Sequence, residues 1–151
     1  MSKIKFKHTV LHATQPLIQH GYLVDESGSD AIRFLKSPVT GVRCIIEFQL
    51  LPNFIPPSRL FNVWLFRVQL PDFPGSEQRY LPLAISLPNL MAGFYNLRIF
   101  PPEKYYWEFT EEQSLAEQIT QAQSLLVDYG IRWLEDPASN IEWVRHHKSQ
   151  P

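Results

Sequence analysis

Apolar positions between residues 4 and 20 recur at helical spacing. Phe6, Val10, Ala13 and Leu17 form one stripe, with Leu11 and Ile18 beside it. The spacing predicts a helix over 4–20. Pro16 interrupts it, because proline lacks a backbone donor and crowds the preceding turn, so a kink or a division into two helices is expected. Gly21 supplies the stop, since the residue after a helix commonly takes the left-handed conformation that glycine tolerates.

Beyond Gly21 the period falls to two. Residues 30–36, with Ile32 and Phe34 alternating against Arg33 and Leu35, read as a strand closed by the turn residues Ser37-Pro38-Val39-Thr40-Gly41. Residues 42–51 form the next strand and 60–70 a third, both rich in β-branched and aromatic side chains. Pro56-Pro57 makes 52–58 a loop. These links are too short for crossover helices, so the three strands are expected to run as an antiparallel meander.

Six prolines, from Pro71 to Pro102, break residues 71–102 into short pieces, with a brief helix expected around 89–96. Tyr105, Trp107 and Phe109 then share one face of a short strand. Thr110-Glu111-Glu112-Gln113 has the form of a capping box, and Leu115, Ile119, Ala122, Leu126 and Tyr129 follow at spacings of four and three. A helix over 111–129 is predicted, with Gly130 closing it. Residues 131–135 follow as a separate piece before Pro137, and Ser139 or Asn140 is the cap of a final short helix through Trp143 and Val144.

The 151 residues suit one domain, residues 1–151, with no internal repeat and no dividing linker. Its 44% hydrophobic content excludes a disordered chain, and the formal net charge of -1 leaves no footprint for nucleic acid or an anionic membrane. That near-neutrality conceals an asymmetry. Lys3, Lys5 and Lys7 precede any acid, whereas residues 103–142 hold nine acids against Lys104 and Arg132. An ordinary solvated helix face accounts for this, and steering of a basic partner is the functional alternative. The uncharged stretch 81–97 is broken by Pro82, Pro88 and Gly93 and is too short to span a bilayer. The first eight residues lack the apolar run of a secretory signal. The expected compartment is the cytoplasm.

Candidate chemistry is sparse. Cys44 is the single cysteine, flanked at alternate positions by Val42, Ile46 and Phe48, and reads as a buried small hydrophobe. His8 and His12 share a helix face, but residues 1–24 supply no acid or thiol as a third ligand, and His146-His147 is a surface pair; no metal is expected. Neither G-x-S-x-G nor a glycine-rich phosphate loop occurs. Asp25-Glu26, Glu111-Glu112 and Glu135-Asp136 fall in turns or helix ends. Nothing argues for an enzyme, and no cofactor is expected.

The strands carry the more informative feature. On residues 42–51, Val42, Cys44, Ile46, Phe48 and Leu50 make one apolar face, opposed by Arg43, Ile45, Glu47, Gln49 and Leu51. On 60–70, Phe61, Val63, Leu65, Arg67 and Gln69 alternate with Leu60, Asn62, Trp64, Phe66, Val68 and Leu70. If the apolar sets share the core, Arg43, Glu47, Gln49, Arg67 and Gln69 gather on the other side, joined by Arg33 if Ile32 and Phe34 point inward. A sheet covered on one side has such a face without any function. Its remaining apolar members, Ile45, Phe61, Val63 and Leu65, make it stickier than a solvated face, so a binding surface at Arg33, Arg43, Glu47, Gln49, Arg67 and Gln69 is the hypothesis.

Four segments carry a resemblance: Pro16-Leu17-Ile18-Gln19-His20-Gly21-Tyr22, Ile32-Arg33-Phe34, Ile46-Glu47-Phe48-Gln49 and Tyr129-Gly130-Ile131-Arg132-Trp133-Leu134-Glu135. In that order they resemble a domain-of-unknown-function family of small bacterial proteins. The resemblance leaves out 71–102. It implies an α+β sheet with flanking helices and brings no activity or catalytic residues; some small bacterial proteins of this look are immunity proteins that neutralise toxins.

The resulting expectation is a single-domain α+β fold, an antiparallel sheet with the N-terminal helix and C-terminal helices packed mainly on one face. The expected role is a non-catalytic protein-interaction module. Trp64, Tyr105, Tyr106, Trp107, Trp133 and Trp143 are anchor candidates, although core packing claims most such residues. A protein partner of unknown identity is expected, a homo-oligomer is compatible, and neither nucleic acid nor membrane is. The rival is a small-ligand binder or hydrolase, with a pocket between the sheet and 71–102.

Overall fold

The computed structural model describes residues 3–25, 30–52, 59–69, 83–101, 104 and 106–136. The final helix expected around 139–144, with Trp143, His146 and His147, lies outside them, as do Tyr105 and 71–82.

The first helical pattern divides where proline demands it. Helix α1 (Lys3–Ala13) ends at Thr14, and α2 (Gln15–Gln19) restarts with Pro16 in its first turn, where no backbone donor is needed. The Thr14 hydroxyl donates to the Val10 carbonyl (2.6 Å), one of the acceptors the break would otherwise leave open. Gly21 has φ 93°, and the Tyr22 N–H donates back to Leu17 O (3.1 Å). That bond reverses the chain into the sheet.

Among the described residues six strands form one antiparallel sheet. Strands β1 (Leu23–Asp25), β2 (Ala31–Lys36), β3 (Val42–Leu50) and β4 (Arg59–Gln69) follow in chain order. The long β4 is shared along its far edge: β5 (Leu83–Ser86) pairs with Trp64 to Arg67, and β6 (Trp107–Phe109) with Arg59 to Phe61. The meander of β2, β3 and β4 is as expected; β1 and β5 are additional. Between β5 and β6 stands α3 (Leu87–Gly93), whose N-terminus Ser86 caps by accepting the Asn89 N–H (3.3 Å).

The C-terminal helix differs from expectation at both ends. Helix α4 (Glu112–Leu125) is capped one residue later than Thr110: the Glu111 N–H donates to Ser114 Oγ at 3.3 Å. Gly130 does not close it. The run continues through a π turn, Leu126–Gly130, into α5 (Ile131–Glu135). The residue added by the π turn moves the buried position from Tyr129 to Gly130. Glycine is needed there for closeness rather than for a stop. A Cβ at Gly130 would lie 3.0 Å from Leu126 Cδ2 and 3.3 Å from Leu65 Cδ2, so helix and β4 touch at this point.

One hydrophobic core joins the buried stripes of α1, α3, α4 and α5 to one face of the sheet. Register decides which face. Cys44 stands opposite Arg67, Ile46 opposite Leu65, Phe48 opposite Val63 and Leu50 opposite Phe61. Phe61, Val63 and Leu65 are therefore core residues, and Trp64, Phe66 and Val68 lie on the other side, the reverse of the expected assignment for this strand. The approach of Gly130 onto Leu65 gives the reason. An indole or benzene ring at that point of β4 would occupy the space the helix takes.

Candidate functional site

The face of the sheet turned away from the helices is built from paired rows. Leu23, Leu35, Ile45, Phe66 and Ala84 stand opposite one another across five strands. Beside them runs a polar and aromatic row, Asp25, Arg33, Glu47, Trp64 and Ser86. Leu35, Ile45, Trp64, Phe66 and Val68 are half-buried, and none belongs to the core. Leu23, at the open edge, is 72% exposed. Arg33 Nε donates to Glu47 Oε1 at 3.4 Å, and the rings of Trp64 and Phe66 stack at 6.3 Å. Arg33 is exposed while Glu47 is largely buried, and at 3.4 Å the pair orients the two side chains across β2 and β3.

Four of the six residues expected at this surface share it: Arg33, Arg43, Glu47 and Gln49. Arg43, exposed, stands opposite Val68, and Gln49 opposite Asn62. Arg67 and Gln69 do not join them. The register sets Arg67 opposite Cys44, on the core face, and pairs Gln69 with Val42. The apolar members expected here are likewise corrected: Ile45 remains, while Trp64, Phe66 and Val68 replace Phe61, Val63 and Leu65. Both sets of β4 residues alternate as a strand should, so periodicity alone gave no means of choosing between them.

Arg67 instead belongs to a polar cluster at the end of the core. Lys36, Cys44 and Arg67 form one row across β2, β3 and β4, and the C-terminal end of α5 lies over it. Arg67 is 4% exposed, and its Nη1 donates to Leu134 O at 2.8 Å. Cys44 Sγ donates to the same carbonyl at 3.5 Å. Lys36 Nζ pairs with Glu135 Oε1 (2.6 Å), donates to His20 O (2.9 Å) and lies 5.6 Å from the centroid of the Tyr22 ring. The Tyr22 hydroxyl donates to Glu135 Oε1 at 3.4 Å. The carbonyl ends of α2 and α5 thus find cationic donors from the sheet, which is what helix C-termini require. This arrangement holds the helices down.

The cluster can be probed at Arg67 and at Cys44. Among the described residues Arg67 has no carboxylate partner, and its Nη2 makes no hydrogen bond. The charge is therefore poorly repaid, while its aliphatic stem fills core volume. Arg67→Met is expected within about 1 kcal/mol of the parent in urea unfolding, because the lost carbonyl contact and the relieved desolvation nearly cancel. Arg67→Ala is expected to lose about 2–3 kcal/mol through the cavity it opens. Equal losses in both variants would mean that the charge, not the stem, stabilises the fold.

The Cys44 thiol is pushed up from 9.0 to about 11, chiefly by burial; Arg67 opposes the shift, Glu135 adds to it and Lys36 opposes it. Burial likewise raises the Tyr22 phenol. The folded chain keeps the thiol proton to higher pH than the unfolded chain. That stabilisation is complete below about pH 9 and is lost as pH rises toward 11, amounting to about 3 kcal/mol. Urea midpoints measured from pH 8 to 10.5 are expected to fall more steeply for the parent than for Cys44→Ala. Parallel slopes would contradict it.

Among the aromatic anchor candidates, Trp107 and Trp133 are core residues, Trp64 is on the open face and Tyr106 is exposed. A cleft lies between α3 and the 98–104 stretch, with no strand residue in its wall, so it is not the pocket against the sheet that was expected. Among the described residues no helix is long and apolar enough to cross a membrane, and no three metal-ligating side chains group together. No protein-family model, curated protein or solved structure matches the chain. The resemblance carried by the four short segments accordingly assigns no family, and the functional reading rests on the residues of the sheet face.

Proposed function

We propose that the protein is a non-catalytic protein-binding domain whose partner docks on the face of the sheet turned away from the described helices. The observation that carries this reading is the apolar row Leu23, Leu35, Ile45, Phe66 and Ala84, which crosses five strands outside the core. Trp64 and the Arg33–Glu47 pair flank it on one side, and Arg43 and Val68 on the other. Aromatic and arginine side chains over an apolar centre are the composition of interface hot spots. A contiguous apolar strip of this kind is uncommon on a surface that meets only water.

The test is affinity capture from the native host extract with the full chain and with a Trp64→Thr/Phe66→Thr variant. The parent is expected to retain a stoichiometric protein that the variant loses while keeping its fold. Recovery of no stoichiometric protein by the parent, or undiminished recovery by the folded variant, would contradict the proposal.

A further inference from the structure

The cleft beside α3 has a chemistry of its own, independent of the sheet face. Its volume is about 120 Å³, well below the ~300 Å³ at which drug-sized pockets begin, so it is too small for a nucleotide or an organic cofactor. Two cations, Arg98 and Lys104, and the polar residue Asn89 line it together with Pro88, Ile99 and Phe100. Among the described residues no acid lines the cleft and no carboxylate pairs with Arg98. Lys104 reaches Glu108 at 3.6 Å, but both side chains are solvated and the ammonium keeps further donors.

The stretch that carries Arg98 is held on both sides. Upstream, the Tyr95 hydroxyl donates to Tyr129 O (3.3 Å), and the Phe94 ring meets Trp133 edge-on at 6.4 Å. The Leu97 N–H donates to Met91 O at 2.8 Å, across a left-handed turn at Asn96 (φ 55°). Downstream, Phe100 packs edge-on against the buried Trp107 at 5.0 Å, and the Lys104 N–H donates to Pro101 O at 2.9 Å. The backbone that carries Arg98, from Phe94 to Phe100, is held by these contacts before any ligand arrives, which lowers the ordering cost of binding an anion there.

We infer that this cleft binds a carboxylate on a short apolar body. Arg98 and Lys104 hold the charge, Asn89 offers amide donors, and Phe100, Ile99 and Pro88 cover the carbon chain. Two sources share this chemistry, a free short-chain carboxylic acid and the C-terminal residue of a polypeptide.

Backbone amide NMR of the full chain separates them, with four probes: butyrate, inorganic phosphate, an N-acetylated tripeptide ending in valine carboxylate, and the same peptide as its amide. Saturable shifts confined to residues 88–104 are expected with butyrate or the acid peptide. The acid peptide is expected to bind at least tenfold more tightly than its amide. Arg98→Ala/Lys104→Ala, which alters only exposed side chains, is expected to weaken carboxylate binding at least tenfold with an unchanged thermal midpoint. Tighter binding of butyrate assigns a free acid, and tighter binding of the acid peptide assigns a chain terminus. Absence of saturable shifts with both carboxylates, equal binding of acid and amide peptides without butyrate binding, or phosphate outcompeting both carboxylates would overturn the inference.

Discussion

Phe61→Ala is expected to remove about 3–5 kcal/mol of folding free energy, the range for truncating a fully buried phenylalanine. Phe61 joins three elements. Its ring stacks on Trp107 of β6 at 5.3 Å, and lies 6.1 Å from Phe6 of α1 and 6.1 Å from Phe109. Those neighbours are large planar groups on α1 and β6, so they cannot collapse into the space without dragging a helix or a strand. Domains of this kind have only about 5–15 kcal/mol in total, so the loss takes much of the reserve. The thermal midpoint should fall by roughly 6–20 °C. Phe66→Ala provides the internal comparison. The same side chain, five positions along β4 but on the open face, is expected to cost less than about 1.5 kcal/mol. Equal costs would contradict the assignment of the two faces of the strand.

Trp64→Thr/Phe66→Thr is expected to act in the opposite sense, with little effect on the fold and a large one on recognition. Threonine keeps the strand preference of the positions, and neither ring belongs to the core. Central aromatic anchors commonly contribute 2 kcal/mol or more each, so removing both should weaken a docked partner on the order of 100-fold or more. Most of that change should appear as faster dissociation. Surface plasmon resonance with the captured partner and circular-dichroism melting of the variant read the two halves separately. A variant that melts far below the parent would place these rings in the core.

Much of the framework was legible in the residues. Pro16 and Gly21 told where the first helix divides and ends, because each acts through backbone geometry that no tertiary contact overrides. The antiparallel meander followed from link lengths, and the buried stripe Leu115, Ile119, Ala122 and Leu126 from its spacing. The failures have a common origin. Gly130 reads locally as a stop, yet its role comes from Leu65, a residue far away in the chain. The faces of β4 could not be told apart because both are largely apolar, and the choice rests on where the helix crosses. Arg67 goes to the outer side with the rest of its alternating set once the other β4 set is taken as core; its actual partner is the Leu134 carbonyl, a backbone atom that sequence patterns do not register. Of the candidate surface, Arg33, Arg43, Glu47 and Gln49 were legible as one face, since they depend only on the unambiguous apolar face of β3. The aromatic half of that surface depended on β4 and was missed with it.

Docking on the face of the sheet turned away from the described helices is the central claim, and hydroxyl-radical footprinting of the chain with and without its captured partner tests it most directly. Oxidation of Ile45, Trp64 and Phe66 is predicted to drop on binding while that of exposed Tyr106 stays constant. Unchanged reactivity of Trp64 and Phe66, with protection appearing instead along α3 or α4, would contradict it.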